Sequence, residues 1–491
     1  MMTSSLIWLT PLLPFAVGLA MLLVRDRRIL ATLDVAGSLA VLGLTLAIAG
    51  RVVQGGPVSA LGIFRADEVA VLFLLLIGLL AVAVSLATLG WVRHELARGQ
   101  MRPERLPYYY ALVHGFVATM LVTVLADNLG ILWIAMEGTT ITSALLVGFH
   151  GDKHGLEAAW KYIIVTTIGI SFGLFGTVLV YGAAAHAQGG VLAGAMNWSS
   201  IVAIAPRLDP GIIRIGFIFV MVGYGTKAGL APMHMWLPDA HSQAPTPVSA
   251  LLSGALIKCA LFGIIRFHTI ARAACGPGFS QGLLLTFGLV SVVVATPFIL
   301  AQHDLKRLLG YHSVEHVGII ALGLGFGGGL GTYGALLHVI NHGVTKALVF
   351  LVAGDVIGRY GTRDMRLIRG LLGIAPLAGT LLLMGAFSLA GTPPFSIFIS
   401  ELMVIQAGIA AGRYVMVAAF LVMVVIIFAG LIHHVGQMVF GTAAASASRE
   451  RELPMPMLGL LLLVAAMVLL GVYLPARLDR VLARATEIIV G

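Results

Sequence analysis

Four ionisable residues stand inside long apolar runs: Glu137 in ILWIAMEGTTITSALL, Lys227 in YGTKAGLAP, Lys258 in GALIKCALFGIIRF, and Glu401, about two turns beyond the Pro393/Pro394 pair of LAGTPPFS. A charge at mid-bilayer costs about 2.5 to 3.5 kcal/mol even on the mildest scale, so four facing lipid would cost on the order of 10 kcal/mol. They must face one another or water. His338, His342 and Lys346 recur every four residues, which places them on one face of a helix. Alternating acids and bases of this kind can hand protons on. The structural alternative is a set of buried Lys–Glu pairs and interhelical histidine bonds that only fix packing. Secondary candidates are Lys161, near a helix end and able to snorkel, His234, Lys306, equally readable as an interfacial anchor, and His316 beside Glu315. His433 and His434 fit interhelical bonding as well as they fit a relay.

Other chemistries lack parts. HVINH at 338–342 has the i, i+4 spacing of a zinc motif, but no Glu follows the first His and no third ligand is apparent, so no metal is expected. GLGFGGGLG at 323–331 precedes no phosphate-binding Lys-Ser/Thr and reads as a packed turn. The two isolated cysteines, Cys259 and Cys275, exclude an iron–sulfur cluster or zinc ribbon held by this chain alone. No nucleophile–base arrangement or cofactor motif appears, so the chain is not expected to catalyse by itself. Any redox centre must belong to a partner.

The elements that position these residues are membrane helices. The 491 residues are 59% apolar and 10% charged, with mean hydropathy +1.01; soluble domains approach a quarter charged. The longest hydrophilic stretches, 93–106 and 441–453, are too short for a soluble domain. The net charge of +9 does not point to nucleic acid, because the arginines fall in short loops between apolar spans. The first apolar run has no basic leader and reads as a retained helix rather than a signal peptide. Runs of about 18 residues or more, the length a hydrocarbon core requires, give about fourteen transmembrane helices. The seventh is broken at Gly225, Gly229 and Pro232, the twelfth at Gly391, Pro393 and Pro394. Odd-numbered loops are the richer in Lys and Arg (Arg25, Arg27 and Arg28; Arg93 to Arg105; Arg359 to Arg369), which puts them in the cytoplasm and both termini on the periplasmic side. The tail beyond Pro475 reads as a short interfacial helix.

The two breaks lie five helices apart, as do Glu137 and the Glu315/His316 pair, Lys161 and the His338 stripe, and Lys258 and His433/His434. An odd offset makes equivalent helices cross in opposite directions, as in carriers built from inverted repeats with sites at broken helices. The expected fold is therefore all-α and polytopic: a three-helix segment (1–105), inverted five-helix repeats (106–268 and 279–440), and a C-terminal helix with its tail (454–491).

From 108 to 440 the chain resembles the proton-conducting, antiporter-like membrane subunits of respiratory complex I, membrane-bound [NiFe] hydrogenases and Mrp-type antiporters. The most specific string is YGTKAGLAPMHMWLPDAHSQAPTPVSALLSGALIKCALFGIIRF at 224–267, similar to the M-type antiporter-like protein of complex I and the F-type component of formate hydrogenlyase-related hydrogenases. EGTT at 137–140 and EAAWKY at 157–162 look closer to the hydrogenase version. The resemblance implies that Glu137 and Lys227 are the coupling pair, that Lys258 continues the axis, and that His338, His342 and Lys346 form its eleventh-helix part. Glu401 stands where one branch of the family uses lysine and the M-like branch glutamate. Only 17 residues follow Leu474, too few for the lateral helix of the L-like branch. Implied partners are other membrane subunits and a peripheral redox arm carrying iron–sulfur clusters and [NiFe] or flavin, in a bacterial-type inner membrane. A stand-alone Na⁺/H⁺ antiporter-type carrier and a transport-incompetent structural anchor are the competing readings.

Overall fold

A computed structural model describes residues 2–190, 194–442 and 454–491. The polar stretch read at 441–453 lies, from residue 443 on, outside the described residues. The described residues form fourteen helical spans: Met2–Met21, Arg27–Gly55, Glu68–Ala97, Leu106–Leu125, Leu129–Val147, Lys153–Ala187, Pro210–Ala228 resumed as Trp236–Gln243, Thr246–Cys275, Pro277–Ala301, Leu305–Phe326, Gly328–Tyr360, Pro376–Leu389 resumed as Ser396–Ala410, Tyr414–Val439 and Pro454–Val472. Twelve are individually long and apolar enough to cross a membrane. The other two are the tenth, which carries the polar string LKRLLGYHSVEH, and the twelfth, whose halves are each short. Asp or Asn side chains cap many of the starts, among them Asp26, Asp67, Asn128, Asp152, Asp209 and Asp304, each accepting a backbone N–H of the first turn.

The chain is thus a multi-pass membrane protein whose seventh and twelfth spans are discontinuous. They are five apart in the order of spans, so the two broken helices start from opposite faces. The seventh stops at Gly229, whose φ of 80° and ψ of 28° form a left-handed cap. A Cβ there would come within 2.8 Å of Leu237. The freed backbone finds partners in the resumed half of the same span and in the ninth, as hydrocarbon requires: Trp236 Nε1 donates to the Thr226 carbonyl at 2.8 Å, and the Ala231 N–H to Ser291 Oγ at 2.9 Å. The twelfth breaks at Gly391 (φ 63°), where the Glu401 carboxylate folds back against the backbone. Both breaks contain a cis prolyl bond.

Glycine seams draw spans together where side chains would hold them apart. On the sixth and seventh spans, a Cβ at Gly223 would lie 2.3 Å from the Gly173 amide nitrogen, and one at Gly176 would lie 2.5 Å from the Gly216 carbonyl. Gly288 and Gly318 seal the ninth against the tenth in the same way. Gly323 and Gly331 of the glycine-rich string do likewise for the tenth and eleventh, with Gly327 at φ 69° making the turn. Asp67 and Arg266 form a buried, two-toothed bond at 2.7 and 2.8 Å, with the guanidinium stacked 4.0 Å over Trp198. That bond ties the third span to the end of the eighth.

Two features depart from expectation. A small hairpin, Val58–Ala60 paired antiparallel with Phe64–Ala66, joins the second and third spans. The C-terminal helix Ala476–Val490 buries Val481, Leu482, Ala485 and Ile489 within the protein, not in lipid. Tyr333 donates to Asp479 at 2.6 Å, and Arg484 reaches Glu68 and the Val53 carbonyl. The amphipathic pattern identifies the helix but is equally served by a membrane surface or a protein one.

Gly223→Val should force the sixth and seventh spans apart, costing about 1 to 3 kcal/mol by overpacking. The check is a lower unfolding temperature of the detergent-purified protein, with Gly182→Ala, where a Cβ meets nothing within 4 Å, left near wild type.

Candidate functional site

At the fifth span, Glu137 is half-buried. Its Oε1 accepts from Thr167 Oγ1 at 2.8 Å and its Oε2 from Thr140 Oγ1 at 3.3 Å. Lys227, fully buried one residue before the seventh helix ends, donates from Nζ to Thr140 Oγ1 at 2.8 Å and to Tyr162 OH at 2.6 Å. Among the described residues, therefore, Glu137 and Lys227 are joined through one shared hydroxyl and make no direct ion pair. Tyr162 is held by Ser143 at 2.8 Å and lies against the Trp236 ring, 4.5 Å between centroids. A hydroxyl can donate or accept. The same cradle therefore serves Lys227 as an ammonium that only donates and as an amine that can accept from Tyr162.

Lys258 sits immediately after a π-helical turn, Leu252–Leu256, in the eighth span. Wider i→i+5 winding is a frequent mark of functional sites, and here the lysine Nζ bonds the Ser253 carbonyl of that turn. Ser253 Oγ in turn meets Ser313 Oγ of the tenth span at 2.8 Å. Lys346 of the eleventh span is also fully buried and donates to the Leu309 carbonyl at 2.7 Å. Both lysines thus rest on main-chain oxygens, which accept without contributing a full negative charge.

The third cluster joins the tenth, eleventh and twelfth spans. His316 Nδ1 lies 3.0 Å from His338 Nε2 and 3.9 Å from Glu401 Oε1. His338 Nδ1 meets Ser400 Oγ at 3.0 Å. Because Ser400 gives its own proton to the Ile397 carbonyl at 2.9 Å, it accepts from His338 Nδ1–H. That assigns the tautomer and leaves His338 Nε2 bare toward His316. The His342 ring stacks on His316 at 4.5 Å, yet neither of its nitrogens has a partner among the described residues. His312 Nδ1 and Glu315 Oε2 lie 2.8 Å apart one turn away. His316, His338 and Glu401 offer ligand atoms within 4.8 Å of one another. A donor set of metal-binding type is thus present that the one-helix spacing HVINH did not reveal.

The sequence-derived candidates do not all converge. Lys227, Lys258, His316, His338, His342, Lys346 and Glu401 occupy the buried interior in these three clusters, with Glu137 half-buried at the edge of the first. Lys161 does not: it pairs with Glu157 at 2.5 Å, both side chains 43% exposed, on the outside of the sixth span. Lys306 bonds the Ala244 carbonyl and braces the junction of the seventh and eighth spans. His234 lies in the seventh-span break, its ring 6.3 Å from Tyr311. His433 meets Gln437 at 2.8 Å and His434 the Leu300 carbonyl at 3.1 Å, both exposed bonds off the axis. Thr140, Tyr162, Ser253 and Ser400 escaped the sequence reading. A signal existed for Thr140, one turn beyond Glu137 on an apolar helix. Tyr162 was masked by its charged neighbour Lys161. A separate buried group was also missed: Asp34 meets His114 Nε2 at 3.0 Å and Ser85 Oγ at 2.8 Å among the second, third and fourth spans.

The profile of the family described as NADH:quinone oxidoreductase/Mrp antiporter, transmembrane, matches residues 126–427, which includes all three clusters. The chain belongs to this family. It is 37% identical over 414 residues to the hydrogenase-4 component F homolog of Methylacidiphilum infernorum, covering 84% of this chain and 86% of that one. It is 31% identical over 349 residues to hydrogenase-4 component B of Escherichia coli, covering 69% of this chain and 49% of that longer protein. Among solved structures, a chain of the archaeal membrane-bound sulfane sulfur reductase, a respiratory membrane complex, superposes with a TM-score of 0.86 at 25% identity, covering 99% of this chain and 97% of that one. The relatives are antiporter-like subunits, and the Asp34–His114 group lies outside the profile's range.

Tyr162→Phe removes one of the two oxygens that receive the Lys227 ammonium, a bond to a charged group worth about 1.5 to 3 kcal/mol. Thermal unfolding in detergent should register a loss of that size. Thr140→Val, close in volume, should lose a similar amount, and the double variant more than either.

Proposed function

We propose that this chain moves protons across the membrane as the antiporter-like subunit of a redox-driven complex, through a hydrated Glu/Lys/His relay at mid-membrane. The observation that carries this reading is the Thr140 hydroxyl set between Glu137 and Lys227. A direct, dry ion pair would fix both charges, whereas a hydroxyl-mediated pair can be separated by a small displacement of either partner. Burial penalises the Lys227 ammonium and the nearby carboxylate offsets that penalty. When Glu137 is drawn away, the ammonium loses its offset and its proton moves on. Lys258, then the His316/His338/His342 group with Lys346, receives it, and Glu401 passes it toward the opposite aqueous face. The buried His342 nitrogens require partners, and water supplies them in such a path. Coupled groups of this kind share their titration, so the relay acts as a unit.

In this proposal the blocks 106–268 and 279–440 each provide half of the route. Other membrane subunits are partners of the chain. The outer face of the fifth span carries exposed Ile134, Ile141 and Leu145 around the half-buried Glu137, a surface for a neighbour to cover. Moving one charge against 100 mV requires about 2.3 kcal/mol; a peripheral arm with iron–sulfur clusters and [NiFe] or flavin supplies it. The kinship with hydrogenase-4 components favours a hydrogenase-type complex over complex I. The excess of arginine in the odd loops supports a cytoplasmic location for that face in a bacterial-type inner membrane, with both termini on the periplasmic side.

Membrane vesicles holding the intact complex test the relay. Glu137→Gln and Lys258→Ala should each slow proton translocation by about tenfold or more, ~1.4 kcal/mol in the limiting barrier, with assembly unchanged. Lys161→Ala should pump normally. Full stoichiometry in the first two variants would reduce the chain to a structural anchor.

A further inference from the structure

At the odd-loop face a cavity of about 740 Å³ opens between the third, eleventh, twelfth and fourteenth spans. Its volume falls within the range of small-molecule sites. The wall is divided by chemistry. Arg93, Arg98 and Gln100, at and just beyond the end of the third span, stand at the mouth, and Leu377, Leu381 and Leu460 line the interior. Arg98 reaches across the opening to bond the Gly358 carbonyl on the eleventh span. The wall's two carboxylates are already engaged, Asp355 by Arg359 at 2.7 Å and Glu95 by His150 at 3.0 Å. The Arg93 and Arg98 charges therefore have no acid to answer them within the cavity wall. Gly358 also lines the cavity, and a Cβ built there meets nothing within 4 Å.

We propose that this cavity is a binding site for an anionic phospholipid, its phosphate held by Arg93 and Arg98 and one acyl chain lying along Leu377, Leu381 and Leu460. A guanidinium matches phosphate oxygens with paired N–H donors. Basic pockets between transmembrane helices on the arginine-rich side are where acidic headgroups collect. A soluble anion would satisfy the mouth and leave the apolar interior unused; a neutral lipid would do the reverse. Only an acidic headgroup with a chain attached complements both halves. The occupant would also wedge the third span away from the end of the eleventh, the helix that carries His338, His342 and Lys346.

The test uses the assembled complex in mild detergent with phosphatidylglycerol bearing a diazirine in its acyl chain. After irradiation, labelled peptides should contain Leu377, Leu381 or Leu460, and labelling should fall by about tenfold or more in Arg93→Ala/Arg98→Ala, from about 1 kcal/mol for each cation near a membrane surface. Gly358→Leu, which fills the space and leaves both arginines in place, should abolish labelling; it separates loss of the cavity from loss of charge. Unlabelled phosphatidylglycerol should compete and inorganic phosphate should not. Equal labelling by the phosphatidylcholine analogue, competition by inorganic phosphate, labelling indifferent to Gly358→Leu, or cross-linking of these residues to a partner polypeptide in place of lipid would each overturn the proposal.

Discussion

Everything in this fold answers to the cost of holding a charge in hydrocarbon. Lys227, Lys258 and Lys346 are fully buried, and the architecture around each exists to give its nitrogen an oxygen. For Lys227 the oxygens are two hydroxyls, Thr140 of the fifth span and Tyr162 of the sixth, the latter on the helix that glycines let touch the seventh backbone to backbone. For Lys258 the oxygen is a carbonyl offered by a π turn, and for Lys346 it is a carbonyl of the tenth helix. None of these four bonds is made to a carboxylate. A buried salt bridge would satisfy the same need, but removing its partner is strongly penalised. Hydroxyls, carbonyls and imidazoles leave the charge state free to change.

The two broken spans serve that constraint differently. In the seventh, the break places Lys227 at the last turn of a half-helix, where Trp236 and Ser291 take up the main-chain groups that the break releases. In the twelfth, the break makes room at Gly391 for the Glu401 carboxylate, which thereby comes within 3.9 Å of His316. One break presents a base and the other seats an acid. The histidines between them have ring nitrogens that can carry a proton in either direction, and Ser400 fixes the tautomer of one of them.

Helix count, the two discontinuities and most of the buried charges were legible in the sequence because each leaves a local mark: an apolar run, a Gly–Pro cluster, an ionisable residue where none is cheap. Partners leave weaker marks. Thr140 and Ser400 are ordinary in a membrane helix, and Tyr162 is an aromatic among many; only the approach of a second helix makes them ligands of a charge. Lys161 shows the converse, a charge conspicuous in the string that the fold turns outward to Glu157. The meeting of His316, His338 and Glu401 was hidden for the same reason, since each comes from a different span. The fate of the amphipathic tail was open because its pattern specifies an apolar contact without saying whose.

That tail bears on the mechanics of the whole. Through Asp479 and Arg484 it fastens the beginning of the eleventh span to the beginning of the third, and at mid-membrane Gly343 of the eleventh meets Leu76 of the third with no room for a Cβ. At their far ends the same two helices part around the basic-mouthed cavity. They are tongs riveted at one end and at the waist, their jaws bridged at the mouth by the Arg98 bond to the Gly358 carbonyl. An occupant of the cavity would act on their opening angle, and the histidines ride on one of the arms.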